Sequence, residues 1–228
     1  MNNIQLVVFD IAGTTVKDEG NVSIAFIDAF KEYGIEVPET EVNLVMGFRK
    51  KDAIRILLEK CNVLPEGDIN ELIKKIHDAF TRNMIAVYEN DPSLSPLPHA
   101  AQTFQWLQQQ GIKVALNTGF TKIITDTILK RLHWQQNNDI NFVISSDEVA
   151  EGRPYPFMIQ AIMQKLQVEY ASAVVKVGDT KVDVEEGRNA RCGKVVSVTT
   201  GAYTRDQLAL YKPDGIIDSL AELPSLIQ

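Results

Sequence analysis

Five short apolar runs, each closing on polar residues, constrain this chain more than any other feature. LVVFD (6–10) closes on Asp10, and IKVALNTG (112–119) on Asn117, Thr118 and Gly119. INFVISSDE (140–148) closes on Ser145, Ser146 and Asp147, AVVKVGDT (173–180) on Asp179, and KVVSVTTG (194–201) on Thr199, Thr200 and Gly201. None is long enough to span a bilayer, which takes roughly 20 apolar residues. Continuous apolar runs suit strands buried on both faces, as in a parallel sheet. Helical patterns fall between them, such as AAQTFQWLQQQG (100–111), with Gly111 as a C-cap, and PFMIQAIMQKLQ (156–167). Strand and helix in alternation predict an α/β fold with a doubly wound parallel sheet. Ligands of such sheets bind at the carboxyl ends of the strands, where these polar residues stand.

Residues 20–95 break that rhythm. VSIAFIDAFKEYG, FRKKDAIRILLEKC and DINELIKKIHDAFTRNMIAVYE all carry helical periodicity, with no strand pattern among them. NDPSLSPLPH (90–99) is rich in Pro and Ser and reads as a hinge back to the sheet. The expected organisation is an α/β core made of 1–19 and 96–228, with a helical cap, 20–95, inserted after the first strand.

The 228 residues suffice for such a core plus insert. A net charge of −7 argues against general nucleic-acid binding, which needs clustered cations. An anionic substrate would therefore need a local basic pocket or a metal. Cys61 and Cys192 are far apart without metal spacing and read as two buried thiols in a reducing compartment. No positively charged leader precedes the first apolar run, so the expected location is the cytoplasm, with no membrane partner. His77, His99 and His133 are scattered and read as structural.

Four elements converge on one chemistry: Asp10 with Ala12, Gly13 and Thr14; Thr118 with Gly119; Gly152-Arg153-Pro154; and Gly178-Asp179 with Asp183 four residues on. Carboxylates at neighbouring strand ends cannot sit close together uncompensated. A hard cation such as Mg²⁺ would hold them through oxygen ligands. Asp10 could then attack phosphorus while Thr118, Arg153 and the metal neutralise the phosphoryl oxygens. Gly13 and Gly119 are expected to bring backbone N–H groups to those oxygens.

On these motifs the sequence resembles the haloacid dehalogenase superfamily, and within it the phosphonatase branch. The signs of the branch are DIAGTT in place of Asp-x-Asp, EGRPYP (151–156) with Arg for Lys, and VGDTKVDVEEGRNA (177–190). The resemblance implies a substrate site including Gly13, Thr14, Met46 and Gly119. It implies a Mg²⁺ site at Asp10, Ala12, Asp179 and Asp183, with Asp183 either ligating directly or supporting the site from behind. It also points to a homodimer formed through a cap helix. Superfamily phosphatases protonate the leaving alkoxide with a second Asp, and Ala12 cannot do so. Phosphonatases instead use a cap lysine that forms a Schiff base with an aldehyde, so that an enamine carbon leaves.

Met46-Gly47-x-x-Lys50 looks like the cap motif of that branch and puts Lys50 on its Schiff-base lysine. A helix over about 48–60 sets Lys50 on one face with Ile54, Leu57 and Leu58, while Lys51, Arg55 and Glu59 fall off it. A lysine on an apolar face, flanked by Arg49 and Lys51, should have a depressed pKa. Two positions depart from the branch: Ala53 where it carries a histidine, and Phe120 where it carries a tyrosine. The expected function is Mg²⁺-dependent hydrolysis of a small carbonyl phosphonate such as phosphonoacetaldehyde. The alternatives are a phosphomonoesterase acting on a small phosphate ester through the same Asp10, and a non-catalytic phosphometabolite sensor.

Overall fold

A computed structural model describes residues 4–63, 67–134 and 139–227. Six strands form a single parallel sheet in the order β3-β2-β1-β4-β5-β6. They are β1 (Leu6–Asp10), β2 (Lys113–Thr118), β3 (Phe142–Ser145), β4 (Val174–Gly178), β5 (Lys194–Val198) and β6 (Gly215–Ile217). The winding reverses between β1 and β4, so the crevice outside their carboxyl ends is where such a sheet receives a ligand. Asp10 ends β1, and Asp179 follows β4 directly. The doubly wound α/β core expected from the sequence is present.

The strands are apolar on both faces because both are covered. Val7 and Phe9 of β1 join one core cluster with Phe104, Leu107 and Ile124. Leu6 and Val8, pointing the other way, join Met158, Ile159 and Ile162. Covering the first face are helices α5 (Ala100–Gln109) and α6 (Lys122–Arg131); α7 (Phe157–Leu166) and α8 (Lys181–Asn189) pack on the second. Two short helices, α9 (Arg205–Ala209) and α10 (Leu223–Ile227), finish the chain.

Between β1 and α5 the described residues form helices only: α1 (Asn21–Lys31), α2 (Glu39–Leu44), α3 (Lys50–Lys60) and α4 (Ile69–Asn90). They share a core through Phe26, Phe30, Ile54, Leu57 and Phe80. The strip that leaves the sheet lies beside the strip that returns. Lys17 N–H donates to the Ser95 carbonyl at 3.0 Å, and Leu97 N–H to the Thr15 carbonyl at 2.8 Å. The turn after α2 docks on the core, where Arg49 Nη1 donates to the Ala150 carbonyl at 2.9 Å. Among the described residues, no helix is long and apolar enough to cross a membrane. Cys192 is buried, whereas Cys61 is only half-buried, at the end of α3 against the Glu36 carbonyl. The expectation of two buried thiols therefore holds for one of them.

Candidate active site

A small cavity of about 30 Å³ opens where the insert meets the carboxyl ends of β1, β2 and β4. Asp10, Ala12, Thr118 and Asp179 form its core wall, and Met46 and Lys50 close it from the insert. Gly119 and Phe120 line it at the seam. A Cβ on Gly119 would run into the Phe48 carbonyl, so a residue without a side chain lets the two parts touch there.

Under this wall lies a buried layer of ion pairs. Arg153 is fully buried and all its donors are used. Nη1 donates to Asp10 Oδ1 at 2.6 Å and lies 3.0 Å from Asp183 Oδ1. Nε donates to Glu186 Oε2 at 3.0 Å, and Nη2 to the Asn117 carbonyl at 2.8 Å and Oδ1 at 2.6 Å. Arg153 therefore fixes Asp10 from behind, whereas the sequence reading placed it against the phosphoryl oxygens. Asp10 Oδ2 has no protein hydrogen bond among the described residues, as an attacking oxygen requires.

Lys176, in the middle of β4, adds a second buried cation. Its Nζ is 2.8 Å from Asn117 Oδ1, 3.0 Å from Asp183 Oδ1 and 3.4 Å from Glu186 Oε2. Asn117 Nδ2 reaches both oxygens of Glu186 at 2.8 and 3.0 Å. Neither Lys176 nor Glu186 was singled out from sequence, and Asn117 was noted only as a polar residue closing its strand. The signal was there: a lysine inside an apolar strand must find an anion, and Glu186 lies one helical turn beyond Asp183.

Asp183 has no oxygen to spare. Oδ2 accepts from Thr180 Oγ1 at 2.5 Å and Thr180 N–H at 3.2 Å, while Oδ1 faces Arg153 and Lys176. Those cations, working against burial, hold its carboxyl below the usual value. Asp183 thus supports the site from behind and does not line the cavity. Asp179 differs. Its partners are neutral: Thr14 Oγ1 at 3.1 Å and Ala202 N–H at 2.7 Å. Burial raises its carboxyl well above the ordinary value, and the charges of Asp10 and Asp183 raise it further. Burial also raises Asp10, against the pull of Arg153.

A carboxylate pair held this way calls for a cation. No three His, Cys, Asp or Glu groups among the described residues are gathered into a metal cage. A cation here would rest on Asp10, Asp179 and the Ala12 carbonyl, and take its other oxygens from substrate and water. Mg²⁺ commonly binds in that manner, so the donor set fits.

Two expected substrate contacts are turned inward. Gly13, at φ 81°, donates its N–H to the Val16 carbonyl at 2.8 Å. The Thr14 hydroxyl is spent on Asp179. Both shape the floor of the site, and neither lines the cavity. The tight turn after β1 gathers its N–H groups onto the Ile11 and Val16 carbonyls, leaving none aimed at an oxyanion from Gly13 to Val16.

Lys50, the first residue of α3, is 4% exposed and shares its buried face with Ala53, Ile54, Leu57 and Leu58. Its ammonium sits among three rings, 5.3 Å from the centre of Phe26, 5.8 Å from Phe80 and 4.9 Å from Phe120. Burial is the main cause that lowers its pKa to about 8; Asp10 opposes the shift and Arg153 reinforces it. The sequence reading gave two causes, the apolar face and the flanking Arg49 and Lys51; the first acts here, and the flanking cations are not among the main causes. Arg49 is bonded to Ala150 and Lys51 is exposed. A helix N-terminus also disfavours a cation.

The fold and cavity define a doubly wound α/β protein with a carboxylate at the switch point and a helical insert closing over it. The profile of the haloacid dehalogenase-like hydrolase family matches residues 7–197, and the chain belongs to that family. Over 200 residues the chain is 34% identical to a bifunctional phosphonoacetaldehyde hydrolase/aminoethylphosphonate transaminase of Clostridioides difficile. That match covers 82% of this chain and 30% of the relative. A phosphonoacetaldehyde hydrolase of Bacillus cytotoxicus is 31% identical over 200 residues, covering 82% of this chain and 73% of the relative. The crystal structure of a phosphonoacetaldehyde hydrolase-like protein from Oleispira antarctica superposes with a TM-score of 0.82 at 25% identity, covering 98% of this chain and 91% of that one.

Proposed function

We propose that this hydrolase cleaves the C–P bond of a small carbonyl phosphonate, of which phosphonoacetaldehyde is the first to test. One observation carries the reading: an amine of lowered pKa, Lys50, lines the same cavity as the carboxylate Asp10. An ester phosphatase would use that amine only to bind substrate, and it needs an acid for its leaving alkoxide, which Ala12 cannot supply.

The residues divide the work as follows. The Lys50 amine condenses with the substrate carbonyl to give an iminium, with loss of water. Asp10, aimed by Arg153, attacks phosphorus through Oδ2. The electrons of the P–C bond move into the iminium, leaving an enamine on Lys50 and a phosphoryl group on Asp10. Protonation at carbon and hydrolysis free Lys50, and a second water releases phosphate from Asp10. Mg²⁺, when bound by Asp10, Asp179 and the Ala12 carbonyl, supplies positive charge for the phosphoryl oxygens. Thr118 lines the same wall and can donate to one of them. Closure by the insert keeps bulk water from the iminium.

Phosphate release from phosphonoacetaldehyde in Mg²⁺, by wild type and Lys50→Arg side by side, tests the reading. The expected result is release by wild type and a loss of at least about 10³-fold in the variant, because Arg cannot form the imine. Equal release by both would overturn the Schiff-base route and leave phosphate esters as the substrates to try. No release by wild type overturns the reading for phosphonoacetaldehyde and turns the search to other carbonyl phosphonates and to phosphate esters.

A further inference from the structure

We infer that Asp18 is the proton-transfer residue for imine formation at Lys50. The inference rests on the C–P reading above. Imine formation needs a group that removes a proton from the ammonium and later protonates the departing hydroxyl. Among the described residues, four ionisable side chains line the cavity: Asp10, Asp18, Lys50 and Asp179. Asp10 is the nucleophile and Asp179 faces the cation position. Ala53, one turn along α3 from Lys50, is fully buried and carries no ionisable group, and Phe120 offers only a ring. Asp18 is the acid–base group left.

Its placement suits the task. Asp18 lies in the strip that leaves β1 for α1, and Val22 N–H reaches its Oδ1 at 3.4 Å. Asp18 and Lys50 line the same cavity without a direct ion pair, so a proton passes between them through one water. Burial raises its carboxyl, against the pull of that hydrogen bond and of Lys50, so it can hold a proton between two steps. The other charges acting on Lys50 are Asp10, Arg153 and Asp179. Tyr88 has a buried hydroxyl with no hydrogen-bond partner among the described residues, and burial, reinforced by the charges of Asp18 and Asp10, keeps it protonated.

The proton balance closes. The Asp18 carboxylate takes one proton from the Lys50 ammonium. The free amine adds to the carbonyl, and its own proton moves to the new oxygen to give a neutral carbinolamine. Asp18 then returns its proton to the hydroxyl, the C–O bond breaks, and water leaves an iminium on Lys50. Ammonium and aldehyde have become iminium and water, and Asp18 is a carboxylate again.

Borohydride trapping of phosphonoacetaldehyde on Lys50, followed over time by intact mass, reads this step alone. Asp18→Asn keeps an acceptor for Val22 N–H and removes the proton carrier, so trapping should slow by about 10²-fold. Asp18→Glu should recover part of that rate. Added formate should speed Asp18→Ala without affecting wild type, a response that a purely structural aspartate would not produce. Trapping by Asp18→Asn at the wild-type rate overturns the inference while leaving the C–P reading in place. If Asp18→Asn does not fold, lack of formate rescue in Asp18→Ala overturns it instead. No trapping on wild type overturns both readings together.

Discussion

On the proposed reading, Lys50 is a side chain kept for chemistry at a cost in stability. Moving its pKa from 10.5 to about 8 corresponds to about 3 kcal/mol favouring the neutral amine, and the surrounding rings return part of it. Lys50→Met should therefore raise the unfolding free energy by ~1–3 kcal/mol at pH 7 while abolishing imine trapping; denaturant unfolding at equilibrium measures the first. The sign of the pH effect follows from the depressed folded value. The contribution of this group to stability is present above the unfolded pKa and is lost as pH falls through about 8. Imine formation, which needs the free amine, should likewise rise with pH and level off above about 8. The face on which Lys50 lies was legible from helical spacing alone. That burial on this face lowers its pKa was legible too; the rings that bury it were not, because they come from α1, α4 and the turn after β2. Sequence neighbours such as Arg49 and Lys51 say little about a charge whose surroundings are assembled by tertiary packing.

β4 and α8 are joined by charge as well as by apolar contact. Lys176 and Arg153 together face Asp183 and Glu186, all out of contact with water. Removing one cation from such a set leaves an uncompensated buried carboxylate, which typically costs 3–5 kcal/mol. Lys176→Met should destabilise the fold by about that much, and adding Glu186→Gln should recover part of the loss; a double-mutant cycle by denaturant unfolding measures both. The long elements here were readable because their patterns are strong: β1, β2, β4 and β5 as apolar runs, α3 and α4 as periodic ones. β6, with three residues, and α2, with six, carry too few positions for any periodicity to show. The run read as a strand over 140–148 yields only four strand residues, because Ser145 and Glu148 form a reciprocal cap that turns the chain into a 3₁₀ turn.

For the whole molecule, the carboxylates at the sheet's carboxyl edge should couple metal binding to folding. Asp179 is raised well above 3.8 by burial and by its acidic neighbours. Its contribution to metal-free stability is present below the unfolded value and is lost as pH rises through the raised one. A divalent cation removes that penalty. Mg²⁺ should therefore raise the melting temperature, and more so at pH 8 than at pH 5. Asp179→Asn should raise the metal-free melting temperature and abolish the Mg²⁺ increment, as thermal scans with and without EDTA would show. The doubly wound core was legible because every core strand announces its buried faces. The inward turn of Gly13 and Thr14 was not, since a motif gives residue types in order and not the direction of each N–H.

The neck at Thr15–Lys17 and Ser95–Leu97 has one more consequence. Neighbouring strands lie about 4.8 Å apart, so the insert leaves and re-enters the core at almost the same point. A host gap that narrow closes with little loss of chain entropy whatever segment fills it. The insert is thus a replaceable cassette. Selection for a new substrate can rewrite its helices, and with them the amine at Lys50, without disturbing the carboxylates beneath.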